Sequence, residues 1–267
     1  MQQQLKQDPY TLTLFIQYLI YNIKSQTQWV WLFWVLIMKK LILLLIILIL
    51  PSAVLANIII NGTRVLYYEG VDSVNIELTN NGNLASLVQS WIDDGDINST
   101  PEDANSPFYL YPPIVKIAGM QGQTLRIKNS DKIPSENLEK VYYLNVLDIP
   151  ENVEALKGKS YLQLAMKTRI KVFYRPKGLT DNPETVNEKI TYQLNGNKVL
   201  VKNNSQYHFT IASISTQETP RITLVDSEMI PPLSSRELPL INTLKSNSVV
   251  VIYVDDFGVY KSQNIKL

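Results

Sequence analysis

The sequence predicts an all-β protein made of two immunoglobulin-like β-sandwich domains. Short apolar or alternating runs recur roughly every 8–12 residues after residue 57, separated by Asn, Gly, Pro and Asp. Helical periodicity is almost absent from the same region. The stretch 176-PKGLTDNP-183 concentrates turn and linker residues. It divides the region into halves of about 120 and 85 residues, each the size of an immunoglobulin-like domain. The domains expected are 57–178 and 182–267.

The chain before residue 57 is read separately. Residues 38–56, MKKLILLLIILILPSAVLA, have the parts of a secretory signal. Lys39 and Lys40 form its charged start, and Leu41 to Leu50 its apolar run, which is too short to span a bilayer. Pro51 breaks the run, and Val54 and Ala56 supply small residues before a cut ahead of Asn57. Residues 1–37 fit no element that follows, so Met38 reads as the true start and 1–37 as an upstream mis-start or apolar prefix. A membrane anchor over 29–50 is the alternative, since that stretch is long enough to span.

The first half begins with 74-VNIELTN-80, which alternates Val74, Ile76 and Leu78 with polar residues and ends at an Asn-Gly turn. A short strand over Leu87–Ile92 precedes the polar loop 93–107. Strands follow over Leu125–Lys128 and 141–149, then a long one, 161-YLQLAMKTRIKVFYR-175, with Leu162, Leu164 and Met166 on one face. The second half offers Ile190–Leu194, 198–203, 207–215, a turn at 231–235, 249–254 and Val259–Ile265. Asn195-Gly196 marks a tight hairpin.

Composition excludes much chemistry. The 267 residues carry a net charge of +1 and are 45% hydrophobic, which suits a packed core and argues against polyanion or nucleic-acid binding. Without 1–56 the chain has 21 basic and 23 acidic residues. There is no cysteine, so disulfides, thiol catalysis and thiolate metal sites are absent. The one histidine, His208, reads as a solvent-facing strand residue, and no catalytic or phosphate-binding motif accompanies it. Asp94, Asp96 and Asn98 copy the start of a calcium loop, but Ser99 and Asn105 fail its turn and bidentate positions. No enzyme activity, cofactor or metal is expected. Asp255 and Asp256 point opposite ways on a strand, so one of them suits a structural salt bridge better than an acid–base pair.

At 161–176 a pattern emerges. YLQLAMKTRIKVFYRP resembles the signature strand of the PapD-like periplasmic pilus-assembly chaperones. The segments 63-TRVLYYEG-70, 112-PPIVKIAGMQGQTLRI-127 and 142-YYLNVLDIP-150 are similar to that family's first-domain motifs, in order. So are 203-NNSQYHFTI-211, 229-MIPPLSSRELPL-240 and 253-YVDDFG-258 in the second half. The resemblance implies two immunoglobulin-like domains at an angle with a cleft between them. It implies a chaperone that completes pilus subunits with its long strand, shields them from aggregation and passes them to an outer-membrane usher. Free protein capping itself as a homodimer is a further expectation.

The resemblance also assigns residues. Arg64 and Lys171 match the cations that anchor the subunit's C-terminal carboxylate, and Leu162, Leu164 and Met166 match the groove-filling series. Asp148, Arg175 and Asp256 match an interdomain salt-bridge set, with Asp148 one methylene shorter than the family's usual Glu. Lys171 has the opposite parity to Leu162, Leu164 and Met166, which suits a cation aimed into a cleft. Lys167, Arg169 and Lys177 are expected to be solvated. The intermediate loop 151–160 points weakly to the family's short-loop group. A secreted adhesive or structural sandwich protein is the alternative, and a hydrolase using His208 a third reading.

Overall fold

The computed structural model describes residues 34, 37–42, 58–130, 133, 136–151, 158, 162–218 and 220–267. Met1–Val54 and Leu55–Leu267 form separate compact units. In the first, Trp34 and residues 37–42 are helical. The early start and the cut ahead of Asn57 lie outside the described residues. Among those described, no helix is long and apolar enough to cross a membrane.

The first sandwich contains β1 (Ile58–Ile60), β2 (Arg64–Tyr68), β3 (Val74–Asn80), β4 (Ser86–Asp93), β5 (Phe108–Tyr111), β6 (Ile114–Ile117), β7 (Gly122–Asn129), β8 (Lys140–Pro150) and β9 (Met166–Arg175). One sheet has the order β1-β3-β7-β5, the other β2-β9-β8-β4-β6. The alternation in β3 works as expected: Ile76 and Leu78 are buried while Asn75 and Glu77 are exposed. They pack in one core with Leu125 and Ile127 of β7 and with Leu144, Val146 and Val172 of the facing sheet.

The second sandwich opens with a short 3₁₀ helix, Pro183–Lys189, capped by the Asn182 side chain, which accepts from Glu184 N. It continues with β10 (Ile190–Asn195), β11 (Lys198–Asn203), β12 (Phe209–Thr216), β13 (Thr223–Val225), β14 (Glu228–Ile230), β15 (Ser235–Pro239), β16 (Ser248–Val254) and β17 (Tyr260–Lys266). The sheets are β10-β11-β15 and β13-β12-β16-β17, with β14 also on β12. Gly196 has φ of +59°, which the tight β10–β11 hairpin needs. Buried Asn203 donates to the carbonyls of Tyr207 (2.7 Å), Ile230 (3.1 Å) and Pro231 (3.0 Å). That one amide draws together the segments 203–211 and 229–240.

Two expectations change. The long strand is not continuous over 161–175. Its ladder begins at Met166, opposite Asp148; β8 runs on to Pro150, but Ile149 and Pro150 pair with β4 and Leu162–Ala165 forms no ladder with them. His208 is not solvent-facing. It precedes β12, and only 6% of its side chain is exposed.

Candidate functional site: an open edge ending at two cations

β9 is paired unequally on its two sides. β8 accompanies it antiparallel from Met166 to Tyr174. β2 accompanies it, parallel, only from Lys171 to Arg175. On that side Met166–Ile170 has no strand partner among the described residues, so backbone donors and acceptors line an open edge.

The side chains follow the same division. Ile170, Val172 and Tyr174 pack into the first core. Leu162, Leu164 and Met166 continue their alternate spacing past the end of the sandwich and are 81%, 64% and 47% exposed. Gln163, between the first two, donates to the carbonyl of Pro150 (2.6 Å), which ties this extension to the end of β8. Three large apolar side chains beside an unpaired edge are what an incoming strand and its hydrophobic groove would cover.

The open edge ends at Arg64 and Lys171, which are register partners on β2 and β9. Both are half-buried and line a hollow of ≈ 240 Å³ with Thr63, Tyr143, Arg169 and Ile170. Arg64 Nε is buried without a hydrogen-bond partner. Neither cation has a carboxylate within ion-pair distance among the described residues. Burial lowers the Lys171 amine's pKa, the Arg64 charge lowers it further, and Glu228 opposes both. Burial lowers that of Arg64 too, against the pull of Asp256, Asp255 and Glu139. Such a pair favours a ligand that brings a negative charge.

The opposite face of β9, from Lys171 through Phe173 to Arg175, meets the second domain. Arg175 donates through Nη1 and Nη2 to both oxygens of Asp256 (2.7 and 2.6 Å) and through Nε to Glu139 (2.7 Å). Burial opposes the Arg175 charge, but the bonds to Asp256 and the field of Glu139 prevail and raise its pKa. Glu139 also accepts from His208 N (2.8 Å) and lies 3.0 Å from its Nδ1. The expected trio is corrected accordingly: Glu139, not Asp148, joins Arg175 and Asp256. Asp148 pairs in register with Met166, on the other face of β9 and nine residues from Glu139, about 30 Å along a strand. Register could have identified the partner, since Lys140 opposes Tyr174 and the next step outward opposes Arg175 to Glu139.

Of the three cations expected to be solvated, Arg169 and Lys167 make side-chain contacts and Lys177 does not. Arg169 pairs with buried Asp93 and lies 3.8 Å from the centroid of the Tyr143 ring. Lys167 Nζ donates to the carbonyl of Ile97 (2.7 Å). Lys177 keeps an exposed side chain, while its backbone N donates to Glu69 (2.7 Å).

Comparison with known proteins decides the family. Residues 57–180 match the model described as "Pili and flagellar-assembly chaperone, PapD N-terminal domain", and 185–265 match "Pili assembly chaperone PapD, C-terminal domain". The chain belongs to the PapD-like pilus-assembly chaperones. This member is 38% identical to the probable fimbrial chaperone YehC of Escherichia coli (strain K12) over 79% of its own length and 87% of that protein. The crystal structure of the YadV chaperone aligns with a TM-score of 0.65 at 34% identity, covering 79% of this chaperone and all of that chain. The SafB chaperone of Salmonella enterica, solved in complex with the SafA pilin, aligns with a TM-score of 0.68 at 22% identity, covering 81% and 99%, a likeness of fold.

Proposed function

We propose that this chaperone acts in the periplasm, lends β9 to a pilus subunit that lacks a strand, and delivers the subunit to an outer-membrane usher. The observation that carries the reading is the open edge of Met166–Ile170 ending at Arg64 and Lys171. A strand filling that edge continues the line of β2. If its C-terminal carboxylate meets the two cations, its chain must run toward Lys171, parallel to β9. Leu162, Leu164 and Met166 then enter the subunit's groove, each contributing roughly 1.5–3 kcal/mol on burial. In a subunit-free protein the same edge suits a second copy, giving a self-capped homodimer.

Co-expression with a subunit tests the anchor. The wild type should yield a soluble one-to-one complex. Arg64→Ala and Lys171→Ala should each cost about 2–5 kcal/mol of affinity and lose it, with the chaperone itself still folded. Normal complex yield from both variants would refute the anchor assignment.

A further inference from the structure

We propose that Arg169 is a third hydrogen-bond donor to the subunit's terminal carboxylate, beside Arg64 and Lys171. The proposal rests on the anchor reading above. Arg169 shares the face of Lys171, two residues earlier on β9, or about 7 Å back along the strand. It lines the same hollow. Its Nε is buried and has no hydrogen-bond partner among the described residues.

The rest of the guanidinium is committed. Nη2 bonds to Asp93, and its flat face covers the Tyr143 ring. Asp93 is itself fixed by Asn145 Nδ2 (2.6 Å), Gly95 N (2.8 Å) and Ser99 Oγ (3.0 Å). Arg169 is therefore held before any ligand arrives, so it loses little side-chain freedom when one binds. A carboxylate offers about four acceptor positions, so it can take donors from more than two side chains. The unused Nε–H of Arg169 supplies another donor at a site where the side chain is already ordered.

The competing role is structural, with Arg169 only pinning the segment that begins at Asp93. The two roles separate in a binding assay with a synthetic peptide of alternating apolar residues, made once with a free C-terminal carboxylate and once amidated. The wild type should prefer the acid. Arg169→Gln should cut the acid-to-amide affinity ratio about tenfold, the scale of a hydrogen bond to a charged group. Arg169→Lys, which keeps charge but lacks Nε–H, should also lower the ratio and serves if the Gln variant does not fold. Asp93→Asn removes the tie but keeps the donor, and should lower the ratio by less than Arg169→Gln does, because only the pre-ordering of Arg169 is lost. A wild-type ratio in both Arg169 variants, or an equal fall in Asp93→Asn, overturns the proposal. A wild-type ratio in Arg64→Ala and Lys171→Ala overturns the anchor reading instead.

Discussion

Lys171 illustrates a residue kept at some cost to the free protein. Its folded-state pKa lies below that of an unfolded chain, because burial and Arg64 both disfavour the charge. The folded state thus binds this proton less tightly than the unfolded state. The penalty is present in full below the folded pKa and fades as pH rises toward the unfolded value of about 10.4. Lys171→Met should therefore raise the Tm of the subunit-free protein near neutral pH. The rise should be at most about 2–4 °C, since partial exposure screens the charge. The same variant should lose the subunit. Binding of a carboxylate runs with the opposite sign: it favours the charged amine and raises its pKa again. Affinity should be full below the free-state pKa of Lys171 and fall as pH rises through it, with proton uptake on binding in that window. Calorimetry of the free-acid peptide in buffers of differing ionisation heat measures the uptake. Affinity still flat at the ordinary lysine value of about 10.4 would contradict the assignment.

Among elements, β9 joins two kinds of strand. Its second half is an ordinary core strand, with Val172 and Tyr174 buried. Its first half and the extension before it have the same alternation but nothing to bury against. Leu164→Asp should therefore abolish subunit capture and any concentration-dependent self-association, with little change in Tm because 64% of Leu164 is exposed. Sedimentation with and without a subunit reads both effects, and a large drop in Tm would mean the residue packs within its own domain. The alternation of this strand was legible in the sequence, as were β3, β11 and the Asn195-Gly196 hairpin. Strands β13 and β14, with three residues each, are too short to leave a period. Parity placed Lys171 on the face away from Leu164, but only strand pairing sets Arg64 beside it. The partner of Arg175 was misjudged because a motif position was used where register decides. His208 escaped because what covers it, Glu139 and Phe173, comes from the other domain.

At the scale of the whole molecule, the second domain bears on the proposed anchor. The turn after β16 carries Asp256 to Arg175 and sets Gly258 against Thr63, the residue before Arg64. Gly258 has φ of +80°, and a Cβ there would fall on Thr63 Oγ1. An alanine thus meets two obstacles: left-handed backbone, costing about 1–2 kcal/mol, and a side chain that must give way. The turn is fixed by Asp255, whose carboxylate accepts from Phe257 N (3.0 Å) and Val259 N (2.8 Å), so it cannot yield freely. Displacement is transmitted instead to Thr63 and the start of β2. Gly258→Ala should therefore weaken capture of the free-acid peptide more than that of the amidated one, although residue 258 lies outside the carboxylate hollow. Thr63→Ala removes the obstructing Oγ1, so the double variant should recover part of the lost discrimination while retaining the backbone cost in its Tm. If Gly258→Ala lowers Tm but leaves the acid-to-amide ratio at the wild-type value, the two domains are joined at this turn without any influence on the anchor.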